Sequence, residues 1–200
     1  MGYNIFKDFG QTLKNLGLQE QTTNLFDKIK TVSTSNWLKQ SLELATIMPV
    51  LNERAKQERL ISPLLLEVLK VFQNEISLYS GEELNVRPEE NLSGFCDFFL
   101  TLHSPKRVME APIFLVINVA KSDLDEAMSK CAAQMFAAQI FNQTQGKEIS
   151  AIYGCAVNGK EWQFLKLENQ TLTLNKRIYF QSELHFVLGV FHHIISLVRS

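Results

Sequence analysis

Asp97 is the lone carboxylate in an otherwise apolar run from Phe95 to Leu102. An unpaired buried carboxylate is costly, so a residue of this kind has a partner or a metal. Lys121 closes the next apolar run, from Pro112 to Val119. Side chains alternate along a strand, so Lys121 shares a face with Val119 and Ile117, while Asn118 and Ala120 point the other way. With the two runs as neighbouring strands, Asp97 and Lys121 meet at the mouth of a sheet. An acid on one strand and an acid-x-lysine on the next form a frame for a divalent metal. The lysine then orients the attacking water and stabilises charge on a phosphate during phosphodiester hydrolysis. Magnesium demands oxygen ligands in near-octahedral geometry, and the acid position of the second strand is Val119, which has no ligand atom. The residues alone therefore give half a metal site. Asp123, Asp125 and Glu126 follow Lys121 closely and offer a migrated carboxylate, although Asp123 and Asp125 also suit a helix N-terminus, which favours negative charge.

Other candidates have plainer readings. Glu58 lies in the charged stretch Glu53 to Arg59, where most side chains form a solvated face. His185 and His192 fall on one side of the last helix, which invites a metal reading. Phe186, Val187, Leu188, Val190, Phe191 and Ile194 surround them, so they and His193 read as core-edge histidines. Trp162 and Phe164 read as sheet core rather than a base-stacking platform. Lys106-Arg107 and Lys130 offer phosphate contacts, but basic clusters this short usually form solvated turns and faces.

The elements that position these residues change character along the chain. Residues 1–52 read as a helical extension: Phe6, Phe9, Leu13 and Leu16 recur at helical spacing with Gly17 as a stop. Thr22-Thr23-Asn24 joins a second short helix carrying Leu25, Phe26 and Ile29. Ser33 to Asn36 is a polar break and N-cap before Trp37 to Ala45. A further helix spans about Glu53 to Asn74, with Pro63 implying a kink or break. Ile76 to Ser80 is a short strand turned by Gly81, followed by strands at Gly94–Leu102 and Pro112–Val119. The second of these is apolar on both faces, as in a central strand. Asp123 to Asn142 is an alanine-rich helix. Ile149–Val157 and Glu161–Leu167 are strands joined by the hairpin signal Asn158-Gly159. A short strand at Thr171–Leu174 and a closing helix at Ser182–Leu197 complete an α/β (α+β) pattern.

The 200 residues suffice for one compact unit with a sizeable core, residues 53–200 forming its main body. Hydrophobic residues make up 46% and charged residues 20%, which excludes a disordered chain. The net charge of −1 lacks the strong basic excess of many dedicated nucleic-acid binders, so any such face must be a local patch. Three cysteines without a CxxC pair argue against structural zinc and suit reduced, buried thiols. No signal-peptide pattern opens the sequence, and no apolar run approaches the ~18 residues of a membrane helix, so a cytoplasmic protein without membrane contact is expected.

Several segments, in order, resemble a group of small bacterial proteins of the PD-(D/E)XK (restriction endonuclease-like) nuclease superfamily. Leu92-Ser93-Gly94-Phe95-Cys96-Asp97-Phe98-Phe99-Leu100 looks like the family's aspartate strand. Ala111-Pro112 through Lys121 looks like its motif strand, with Val119 in place of glutamate. The helix containing Cys131-Ala132-Ala133-Gln134-Met135 and Ala137 to Asn142 resembles the following family helix. Ile152-Tyr153-Gly154 and Trp162 to Leu167 resemble its next two strands, and Gln57 to Glu67 an upstream helix. The likeness covers about Glu53 to Ile195. It implies a restriction endonuclease-like mixed sheet flanked by helices, with catalytic positions at Glu58, Asp97 and Lys121. In an active enzyme Asp97, Glu58 and a migrated Asp123 would hold Mg2+. The family's helix glutamine falls on Lys130, a weak substrate-contact candidate. With Val119 at the ligand position, the expectation is a nuclease-fold protein with impaired or lost catalysis that retains room for DNA binding. The alternatives are an active Mg2+-dependent DNA endonuclease with a migrated carboxylate, or a non-catalytic scaffold or oligomeric subunit. The family also implies a homodimer as one arrangement.

Overall fold

The computed structural model describes residues 2–199. In chain order its main elements are α1 (Phe9–Leu16), β1 (Gln19–Thr23), α2 (Asn36–Ile47) and α3 (Glu53–Lys56). A π-helical turn (Gln57–Ile61) leads into α4 (Ser62–Phe72), followed by β2 (Ser77–Glu83), β3 (Phe95–Thr101), β4 (Ile113–Val119) and α5 (Leu124–Thr144). Then come β5 (Ile152–Val157), β6 (Glu161–Glu168), β7 (Thr171–Asn175), β8 (Tyr179–Phe180) and α6 (Leu184–Arg199). The strands form one eight-stranded mixed sheet in the order β1-β7-β6-β5-β4-β3-β2, with β8 paired to β6. The β4–β5 and β1–β7 pairs are parallel and the others antiparallel.

Helices cover both faces of this sheet. Every residue of β4 and β5 is buried, which is why both read as continuous apolar runs rather than alternating ones. On one face α5 lays Cys131, Met135 and its alanines against the sheet, with α1 packed on α5. On the other, α4 and α6 bury Leu64, Leu65, Val68, Val187, Phe191 and Ile194 against Phe98, Ile117, Val119 and Phe164. The small side chains of α5 permit a close approach. A Cβ at Gly154 would lie 2.3 Å from Met135 Sδ and 2.9 Å from Cys131 Sγ. All three cysteines are free and buried.

Two local expectations are corrected. The segment after Gly17 is not a second helix: Gln19–Thr23 is a strand, and the chain then runs irregularly to Ser35. Tertiary partners take the backbone and side-chain roles that a helix would have supplied. Leu25 N–H donates to Asn175 Oδ1 at 2.9 Å and Val32 N–H to His185 O at 2.9 Å. Phe26 meets Phe164 edge-on at 5.8 Å. The helical reading of 1–52 thus holds for α1 and α2, while the segment between them supplies an edge of the sheet. Gly81 does not turn the chain. It adopts φ 67° inside β2, and pairing to β3 resumes at Glu82↔Cys96.

Pro63 falls in the first turn of α4, as the break reading expects, and the helix changes type just before it. Lacking an N–H and clashing with the carbonyl one turn back, proline disrupts regular helix. Here the preceding turn widens to π geometry, so that Ser62 donates through both its N–H and its hydroxyl to Gln57 O. The Asn158-Gly159 hairpin does join β5 to β6, with Gly159 at φ 88°. The histidines sit against aromatic rings, His192 at 4.9 Å from Phe72 and His193 at 6.1 Å from Phe26. Among the described residues no helix is long and apolar enough to cross a membrane.

Gly154→Ala is predicted to force α5 off the sheet and to destabilise the fold by about 1–3 kcal/mol, the usual cost of overpacking a filled core. Urea denaturation compared with the parent checks this, and an unchanged midpoint would refute the close-packed account of α5.

Candidate functional site

The last ladder pair between β3 and β4 toward the candidate site is Phe98↔Ile117. Beyond it the strands part, and the Val119 N–H has no β3 carbonyl to meet. Asp97 takes that place: its Oδ2 accepts from Val119 N at 2.6 Å. Its Oδ1 accepts from Gln57 Nε2 at 2.7 Å, reaching across from the π-helical turn. One carboxylate thus ties β3 to β4 and the sheet to the α3–α4 segment. Burial pushes the Asp97 carboxyl up to about 6, and the nearby Glu53 charge adds to this. The Val119 N–H, Lys130 and the Gln57 amide pull the other way. Glu53 and Gln57 are one helical turn apart, the spacing that puts two side chains on one face.

Lys56, next to Gln57, enters the same mouth. Its Nζ donates to the carbonyls of Asn158 at 2.5 Å, Ala120 at 3.4 Å and Lys121. These are the carbonyls where β4 and β5 end, so a tethered ammonium gathers the ends of both strands. Burial lowers the Lys56 pKa, with Glu53 opposing and the Lys160 and Lys121 charges reinforcing the shift. The hairpin closes over it: a Cβ at Gly159 would lie 3.0 Å from Lys56 Cδ.

Of the residues expected at the site, Asp97 occupies its centre. Val119 packs into the core at 2% exposure. Lys121 is exposed and shares the mouth through its backbone oxygen. The lysine whose charge reaches Asp97 is Lys130, which is itself paired to Glu126 at 2.8 Å and is only 15% exposed. Lys130 is thus partly buried and ion-paired beside the site. The Glu58 carboxylate turns outward into an exposed pair with Arg54 at 2.8 Å. Asp123 is the N-cap of α5, accepting from Asp125 N at 2.9 Å, and Asp125 Oδ2 accepts from Phe9 N at 3.2 Å. These acids hold helix starts and do not assemble around Asp97. Glu53, Lys56 and Gln57 escaped notice as site residues because their stretch reads as an ordinary charged helix face. The one available signal was Pro63, whose disruption of the helix re-aims the turn before it.

Among the described residues no group of three or more His, Cys, Asp or Glu side chains is arranged to hold a metal ion. The donor chemistry at Asp97 agrees. Both carboxylate oxygens accept from N–H donors, Val119 brings no ligand atom, and Glu53 is the second carboxylate whose charge acts on Asp97. Mg2+ prefers an oxygen-rich octahedral shell, so the residues present do not fit it. Compared with known proteins, the chain matches no family model and has no significant match among curated proteins.

The raised Asp97 pKa has a definite sign for stability. The folded carboxyl holds its proton more tightly than the unfolded one, so its stabilising contribution is complete below the unfolded carboxylate range. That contribution is lost as pH rises through about 6. Asp97→Asn keeps an acceptor for Val119 N–H and removes the titration. Its stability relative to the parent is predicted to rise between about pH 4 and pH 8 by up to about 3 kcal/mol. Chemical denaturation of both proteins across that range checks this, and a constant gap would refute it.

Proposed function

We propose that this chain is a nuclease-fold protein of the PD-(D/E)XK type that does not hydrolyse phosphodiesters, and that its sheet mouth binds the backbone of a nucleic acid. The observation that carries the catalytic half is the closure of Asp97 by Gln57 and the Val119 N–H. Each Asp97 oxygen already accepts an N–H within the fold, and Val119 supplies no second ligand to help complete a metal shell. The type of fold is supported by the resemblance of the ordered segments and by the place of Asp97 and Lys121 at one end of adjacent strands. The β3–β4 hairpin followed by α5 and a strand parallel to β4 is consistent with it.

The binding half rests on charge. Lys121 and Lys160 both lie close enough for their charges to act on Lys56. Lys121 and Lys160 are exposed, while Lys56 is spent on the carbonyls. Two exposed ammonium groups beside the hairpin, where Glu161 is bonded to Asn158 at 2.8 Å, make a small phosphate-facing patch on a chain with net charge −1. Contact through such a patch reads backbone rather than sequence and weakens with salt.

Calorimetric titration with Mg2+ and Mn2+ is predicted to give no binding heat with the parent, whereas Val119→Glu places a second carboxylate beside Asp97 and gains measurable affinity. Parent binding that vanishes in Asp97→Ala would instead establish a working metal centre and overturn the non-catalytic reading. Double-stranded DNA affinity of the parent is predicted to fall linearly in log–log form with salt, and Lys121→Ala and Lys160→Ala should each flatten that slope by about one. A slope unchanged in both variants would remove the mouth from the contact, and binding that ignores salt would remove nucleic acid as the ligand.

A further inference from the structure

The sheet ends in two edge strands, β2 and β1. The β2 edge carries devices that discourage pairing with another chain: a left-handed Gly81 inside the strand and the adjacent charges of Glu82 and Glu83. The β1 edge carries almost none. All five residues of Gln19–Thr23 are exposed, and the strand contains no proline, glycine or lysine and a single charge, Glu20.

Which backbone groups this edge offers follows from its pairing with β7. Gln19 N–H donates to Gln170 O at 2.8 Å, and Thr23 O accepts from Lys176 N at 2.8 Å. With the parallel register running from Gln19↔Thr171 to Thr23↔Asn175, the backbone groups of Gln19, Gln21 and Thr23 face β7. Those of Glu20 and Thr22 face outward, where no further strand lies among the described residues.

An open edge accepts an extended chain, and cross-strand side-chain pairs select which one. Consider a second copy of β1, antiparallel about a twofold axis through Gln21. Glu20 of each copy then faces Thr22 of the other, and the two Gln21 side chains meet at the axis. Glu20 and Thr22 are the residues whose N–H and C=O groups point outward, and a hydrogen-bonded antiparallel pair exchanges both. The register that satisfies the backbone therefore also sets carboxylate against hydroxyl, with no like charges opposed. Sliding one way brings Glu20 against Glu20. Sliding the other way runs the pairing to Asn24, where the strand has ended.

We propose that β1 is the interface of a symmetric homodimer in which two copies join edge to edge into one continuous sheet. This rests on the edge alone and is independent of any activity at the sheet mouth. A five-residue edge buries less than the ~800 Å² per partner of a standard tight interface, so the dimer exchanges with monomer.

Sedimentation equilibrium over a concentration series tests it. The parent should show a monomer–dimer equilibrium. Thr22→Pro deletes one outward N–H and no β7 bond, the position at which an edge strand tolerates proline. It should be monomeric with an unchanged circular dichroism spectrum. Thr22→Glu sets carboxylates against each other and should weaken the dimer at least tenfold, with partial recovery in high salt. Thr22→Lys sets opposite charges together and should tighten it. Should Thr22→Pro fail to fold, the Glu and Lys variants still decide. A parent that stays monomeric at its highest soluble concentration overturns the proposal. So does a dimer whose strength is the same in parent, Thr22→Glu and Thr22→Lys, because its interface then lies elsewhere.

Discussion

Val119 stands where an antiparallel partner would ordinarily receive its N–H, and it gives that N–H to the Asp97 carboxylate at 2.6 Å. A buried donor left without an acceptor costs about 1–3 kcal/mol. The parting of β3 and β4 is thus compatible with a dry core because a side chain replaces the missing strand. The same carboxylate must then be kept company itself, and the Gln57 amide supplies its second partner. Gln57 can reach because the helix before Pro63 is widened into a π turn. Sheet mouth, helix irregularity and Asp97 chemistry are consequently one linked arrangement.

How far this was legible in the sequence differs by level. The central strands announced themselves because β4 and β5, buried on both faces, must be apolar throughout. Asp97 stood out as a lone acid in such a run. The hairpin at Asn158-Gly159 was legible from turn chemistry alone. The strand Gln19–Thr23 was not, since a polar edge strand has no apolar face and no period to detect, and its pairing to β7 is set by residues some 150 positions away in the chain. Phe26 misled for a related reason. Its burial comes from packing against Phe164 and His193, not from a helical face.

Site residues failed to be legible through small shifts rather than wrong regions. Glu58 was singled out, yet Gln57 beside it meets Asp97. One residue along a helix is a rotation of roughly 100°, enough to turn a side chain from the sheet to solvent. Composition and spacing do not encode which of two neighbours faces inward when both are polar. That choice is made by the π turn and by where β3 and β4 part. Lys121 similarly lies beside the mouth with its side chain exposed, while Lys130, one helix later, contributes the charge that Asp97 feels.

The position of Lys56 extends this logic to electrostatics. Strand ends expose carbonyl dipoles, and those of Ala120, Lys121 and Asn158 converge where β4 and β5 finish. Convergent carbonyls attract a cation, and here that cation is an ammonium on a neighbouring helix. A tethered cation forgoes the entropy loss of capturing a free one, and its desolvation is compensated by three oxygen acceptors. Burial lowers the Lys56 pKa, and the like charges of Lys160 and Lys121 add to that effect while Glu53 opposes it. Adjacent residues of one segment thus serve opposite needs of one sheet end: Gln57 gives donors to a carboxylate, and Lys56 gives charge to carbonyls. With both supplied from within the chain, the polar groups of the mouth satisfy one another while Val119 packs into the core beside them.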